Sequence, residues 1–158
     1  MIGNMLAVPQ AELDALYHDP AAVPDYLYRT RADEAANIDK AWHALHFMLT
    51  GKLYDGDGPL AQAVLGGVPI GDEDVGYGPA RGLSAADVKE VASALELLSK
   101  SDLRAKFNAK ALSEAQIYPE IWDEGDESLD YVLDNFFELQ RFYRDAAAKD
   151  MAAILFIN

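Results

Sequence analysis

With 158 residues, 51% of them hydrophobic and 25% charged, the chain has the size and composition of one globular domain rather than of a disordered segment. Its 27 acidic against 13 basic residues, a formal charge of −14 and a pI near 4.4 give a surface that repels nucleic-acid phosphates and anionic membranes. The absence of cysteine excludes disulfides, thiolate metal sites and a cysteine nucleophile, and it fits a reducing, cytoplasmic setting.

Met1 to Pro9 lacks the basic start and long apolar stretch of a signal peptide, and the longest apolar run, Met151 to Ile157, is far short of a membrane span. The expected protein is neither secreted nor membrane-embedded. Ile2 to Val8 predicts a first strand. A helix follows over Gln10 to Tyr17, opened by Pro9 and ended by His18-Asp19-Pro20, with a shorter helical piece over Pro24 to Arg31. A longer helix is predicted from Glu34 to Thr50, its buried stripe made of Ile38, Trp42, Leu45 and Leu49, with Gly51 as a left-handed C-terminal cap.

Pro59 to Leu65 reads as a short helix stopped by Gly66-Gly67, followed by extended pieces at Val68 to Ile70 and Tyr77 to Leu83. Ser84 with Asp87 three residues on resembles a capping box and opens a helix to about Ser99, buried along Val88, Val91, Leu95 and Leu98. Two shorter helices are expected over Ser101 to Ala109 and Ala111 to Gln116. The last helix runs from near Asp126 to Ala148 with Leu129, Val132, Leu133, Phe136 and Tyr143 as its apolar face. The final segment to Asn158 is apolar enough for a strand covered on both faces. The predicted fold is α+β: a mostly helical single domain, residues 1–158, with about five helices on a small sheet that includes the N- and C-terminal strands.

The segment Asp39-Lys40-Ala41-Trp42-His43-Ala44-Leu45-His46-Phe47-Met48-Leu49-Thr50-Gly51 resembles the signature of the YfbM-like family of bacterial proteins, a domain of unknown function. The similarity continues in Pro59-Leu60, Ala63-Val64-Leu65-Gly66, Gly76-Tyr77-Gly78-Pro79-Ala80-Arg81, the Leu103 to Phe107 region and Ile117-Tyr118-Pro119. The resemblance implies a bacterial intracellular domain of mixed α and β structure. It carries no catalytic assignment.

On an ideal Glu34–Thr50 helix, turning about 100° per residue, Asp39, His43, His46 and Thr50 share one flank. Such a carboxylate and imidazoles suit general-base chemistry or a ligand; the structural alternative is that His46 bonds a loop carbonyl while His43 is simply exposed. Gly76-x-Gly78-Pro79-x-Arg81 invites a phosphate-loop reading, but the spacing is wrong and Pro79 removes an N–H, so a turn with a structural arginine competes with Arg81 as a ligand contact. Asp55-Gly56-Asp57-Gly58 and Asp72-Glu73-Asp74 do not continue into a calcium loop, and no metal or cofactor is expected.

Between Ala111 and Gln140 stand nine acids (Glu114, Glu120, Asp123, Glu124, Asp126, Glu127, Asp130, Asp134, Glu138) and no Lys or Arg. Glu127, Asp130, Asp134 and Glu138 line the helix face opposite the apolar stripe, and Phe137 falls partly off that stripe. The leading expectation is therefore a non-enzymatic interaction protein that offers this face to a basic protein, a toxin among the possible partners. The alternative is a small-ligand or hydrolase-type site made of Asp39, His46, Thr50 and Arg81.

Overall fold

The C-terminal segment is the centre of the molecule. A computed structural model describes residues 1–123 and 125–158; Glu124, one of the nine acids above, lies outside the described residues. Strand β5 (Ala152–Ile157) lies in the middle of a five-stranded antiparallel sheet with β1 (Gly3–Val8), β2 (Ala36–Asn37), β3 (Val68–Asp74) and β4 (Pro79–Leu83), in the order β2-β1-β5-β4-β3. β1 and β5 pair from Gly3↔Ile157 to Val8↔Ala152. The expected pairing of the first and last segments is what the structure contains.

Helices cover both faces of this sheet, which is why β5 is an unbroken apolar run rather than an alternating one. On one face Leu6, Val8, Ile154 and Phe156 pack against Leu13 and Leu16 of α1 (Gln10–His18), Val23 of α2 (Val23–Asp25) and Leu27 in the π-helical turn Tyr26–Thr30. On the other, Met5, Ala153 and Leu155 meet the larger core. That core gathers α3 (Trp42–Thr50), α4 (Pro59–Leu65), α5 (Ala85–Glu96), α6 (Lys100–Lys106), α7 (Ala109–Glu114) and α8 (Asp126–Ala148). The apolar stripe of α8 is inside as its spacing predicts, with Val132, Phe136 and Tyr143 each 0% exposed. Among the described residues no helix is long and apolar enough to cross a membrane.

Local signals act as expected at several ends. Ser84 and Asp87 form a reciprocal capping box, Ser99 and Asp102 form a second, and Gly51 closes α3 with φ of 71°. One expected element differs. The helix predicted over Glu34 to Thr50 begins only at Trp42, after a 3-10 turn at Asp39–Ala41.

Two facts explain the late start. Ala36 and Asn37 are drawn into the sheet as β2, opposite Met5 and Asn4, and the N–H of Ile38 bonds the carbonyl of Gly3 at 2.9 Å. Asp39 then takes a left-handed φ of 45°, which no continuous right-handed helix tolerates. Gly3 permits the close crossing, since a Cβ there would lie 2.7 Å from Cβ of Trp42.

Candidate functional site

α3 carries two histidines that point inward. His43 is 3% and His46 1% exposed, so the expectation of an exposed His43 is corrected: Tyr54 of the 51–58 loop and the backbone at Tyr118 cover its ring. The ring of His43 lies between Trp42 (centroids 4.9 Å, 13° between planes) and Tyr54 (5.0 Å, 22°). Its Nδ1 accepts the N–H of Tyr118 at 3.1 Å, which places the ring proton on Nε2. His46 Nε2 donates to the carbonyl of Asp55 at 3.1 Å, because a carbonyl can only accept.

Burial pushes both imidazoles below their ordinary value, and the carbonyls of Leu53 and Asp55 only partly offset it. Both rings are therefore neutral at pH 7. A neutral, enclosed imidazole already bonded to backbone is a tether for a loop more than a base for a substrate.

The other residues of the predicted ligand group are each engaged elsewhere. Thr50 Oγ1 donates to the carbonyl of His46 at 2.8 Å and accepts the N–H of Lys52 at 3.0 Å, finishing α3. Asp39 Oδ2 accepts the hydroxyl of Tyr131 at 3.0 Å, joining the 3-10 turn to α8. Burial first, and that carboxylate second, raise the phenol of Tyr131 well above its usual value.

Arg81 is on β4, where Nε donates to the carbonyl of Gly66 at 3.0 Å and Nη2 to that of Gly67 at 2.7 Å. It clamps the end of α4 to the sheet. Of the five best-formed clefts among the described residues, none is lined by Asp39, His46 or Arg81, and Thr50 lines one with Lys52, Asp57 and Leu60. His46 and Thr50 thus share a helix, while Asp39 and Arg81 stand apart from them.

The Gly76-Tyr77-Gly78 turn has an internal anion. Asp74 Oδ1 accepts the N–H groups of Gly76 at 2.8 Å and Gly78 at 3.1 Å, and these bonds hold the carboxyl below its ordinary range. The position a phosphate would take is filled by the chain's own side chain. Among the described residues no three His, Asp or Glu side chains gather as a metal site.

The outer face of α8 presents the acids expected there, with a difference. Asp130 lies 3.5 Å from Nη2 of Arg104, Asp134 lies 3.5 Å from Nζ of Lys100, and Glu138 pairs with Arg141. The window from 111 to 140 contains no cation of its own, yet α6 packs alongside and supplies two. These side chains are largely exposed, so each pair contributes well under about 1 kcal/mol and opens readily to a competing cation. Phe137 is 48% exposed in the same face and, with Lys100, Asp134, Asn135 and Glu138, lines a groove of about 730 Å³.

Leu97 at the end of α5 is 84% exposed. Gln140 Nε2 donates to the carbonyls of Leu95 and Leu98 at 2.8 and 2.9 Å, which fastens the end of α5 to α8. Sequence reasoning passed over Leu97. The available signal was a leucine between two stripe positions, Leu95 and Leu98, that a helix cannot bury together with them.

Residues 1–156 match the model of a family described as a domain of unknown function, DUF1877. The chain belongs to that family. It is 38% identical over 89 residues to Protein YfbM of Escherichia coli strain K12, a stretch covering 52% of this chain and 50% of that relative. The chain thus aligns with about half the length of the curated relative it matches. A crystal structure of YfbM from Escherichia coli, titled as a protein of unknown function, superposes with a TM-score of 0.77 at 25% identity over 98% of each chain.

In this DUF1877 domain the residues that carry the resemblance have visible structural duties. Trp42 packs against Gly3, His46 and Thr50 hold the loop after α3, Gly51 reverses the chain, and Arg81 clamps α4.

Proposed function

We propose that the domain is a non-enzymatic interaction module that docks a basic protein segment on the outer face of α8. The observation that carries this reading is Phe137: a phenylalanine 48% exposed beside a groove of about 730 Å³, with Asp134 and Glu138 at its rim. An aromatic anchor beside two acids, with Lys100 and Asn135 completing the groove, suits a segment with an apolar residue among lysines and arginines. The acids steer a cation inward and give up weak internal pairs to meet it. Neutralising a basic toxin is one instance of this reading.

The small-ligand or hydrolase-type alternative draws no support from the geometry, because Asp39, His46 and Arg81 line none of the five clefts described and each is bonded to the chain itself. The test uses a labelled amphipathic peptide with a central leucine flanked by lysines and arginines. Binding should weaken with rising salt, fall at least tenfold in Asp130→Lys/Asp134→Lys/Glu138→Lys, and fall again in Phe137→Ser. Equal binding by the triple variant, or binding that survives Phe137→Ser unchanged, removes the reading.

A further inference from the structure

The second charged surface of the molecule lies at the opposite end of α8. There α8 from Glu138 to its end faces β1 and β2 across a cleft of about 420 Å³, within the size of small-molecule sites. In a chain with 13 basic residues against 27 acids, three cations line this one cleft: Arg31, Arg141 and Lys149. Its floor is apolar, formed by Phe142, Met151 and the alanines beside them.

Arg31 is held rather than loose. Its side chain is 20% exposed, with Nε 3.1 Å from Glu34 Oε2 and Nη1 3.4 Å from Glu12 Oε2. The guanidinium lies 5.8 Å from the ring centre of Tyr26, whose hydroxyl in turn bonds Glu12. Its Nη2 makes no hydrogen bond among the described residues. Lys149, the residue that closes α8, makes no ion pair among the described residues.

The carboxylates complete the pattern. Glu34 and Glu138 are held by Arg31 and Arg141, whereas Asp145 has only its neighbour Arg144, at 3.5 Å with both side chains more than half exposed. One turn of helix separates Asp145 from Lys149. A cation and an anion are thus both available above an apolar floor.

We infer that this cleft binds a small zwitterion, an α-amino acid with an apolar side chain. The ligand carboxylate meets Lys149 and the free edge of Arg31. The ammonium meets Asp145, and the side chain rests on Phe142 and Met151. A plain anion would leave Asp145 unanswered, and a plain amine would leave Lys149 and the free edge of Arg31 unanswered. The cleft shares Glu138 with the α8 acid face, but Lys149 and Asp145 take no part in that proposal.

The experiment is an amide-resolved NMR titration of the full chain with L-leucine and L-methionine, beside isovalerate (carboxylate only) and isopentylamine (amine only). Expected are saturable shifts at Ala146, Lys149 and Met151, with each single-charge analogue at least tenfold weaker. Lys149→Glu and Asp145→Asn, both on the surface, should each weaken the amino acids at least tenfold while the remaining spectrum stays folded. No saturable shift up to about 10 mM overturns the inference. So does isovalerate binding as tightly as leucine with Asp145→Asn silent, which would mean a simple anion site.

Discussion

His46 holds down the loop that follows its own helix: the Nε2 of this buried ring donates a 3.1 Å hydrogen bond to the carbonyl of Asp55, nine residues on. The loop from Lys52 to Gly58 is exposed throughout, and its start is fastened by the side chain of Thr50. The His46 imidazole therefore fastens the loop to α3 at Asp55, while the His43 ring stacks on Tyr54 in its middle.

Replacing His46 by alanine removes that donor and leaves a cavity in the core. The expected cost is about 2 to 3 kcal/mol of stability, with a preferential rise in hydrogen exchange across residues 52–58. Urea unfolding measures the first and exchange mass spectrometry the second. A uniform rise in exchange would show that His46 supports the core without tethering the loop.

Both inward histidines make stability depend on pH in a defined window. Above pH 7 they are neutral folded and unfolded, so they contribute no pH slope. As pH falls through the ordinary histidine value of 6.5 the unfolded chain binds protons first, because burial holds the folded values lower. Stability should thus decline from pH 7 towards pH 5, and the decline should flatten in His43→Gln/His46→Gln. Asp74 and Asp102, held below their ordinary 3.8 by backbone N–H groups, stabilise above that value and lose the contribution as pH falls through their lower folded values. The two windows are separate in a urea midpoint measured against pH.

Arg81→Lys tests whether the guanidinium is a clamp. Lysine keeps the charge but cannot fork onto the carbonyls of Gly66 and Gly67, so the variant should lose about 1 to 2 kcal/mol. Thermal or urea unfolding reads it directly. An unchanged midpoint would free Arg81 for the ligand role that its position after Gly76-Tyr77-Gly78-Pro79 suggests.

Gly82→Ala should be harmful although alanine is ordinarily the better strand residue of the two. A Cβ there would sit 2.5 Å from the hydroxyl oxygen of Tyr17 and 2.6 Å from Cδ1 of Leu13, pushing α1 away from β4. Tyr17 would also lose its 3.2 Å bond to the carbonyl of residue 82. The expected loss is about 1 to 3 kcal/mol, seen as a lower melting temperature.

Much of the architecture was legible because local chemistry and burial agreed. The stripe Leu129, Val132, Leu133, Phe136 and Tyr143 repeats at helical spacing and is buried; the Ser84–Asp87 box opens its helix; the terminal run at 152–157 is covered on both faces. The region before Trp42 was not legible. Ala36 and Asn37 have no strand pattern of their own, and they are extended because β1 offers them an edge.

The candidate site divides the same way. Composition and spacing picked out His46, Arg81 and the acids of α8 as residues that must meet something, since buried polar groups and rows of like charge both need partners. Which partners they meet lies beyond the sequence. His46 meets Asp55, Arg81 meets Gly66 and Gly67, and Asp130 and Asp134 meet Arg104 and Lys100 from a helix some thirty residues earlier. Periodicity reports which side of one element is apolar, and that is a local property. Side-chain encounters depend on how elements cross, so only the tertiary structure decided that the histidines became tethers, that Arg81 became a clamp, and that Arg31 and Lys149 came to line one cleft.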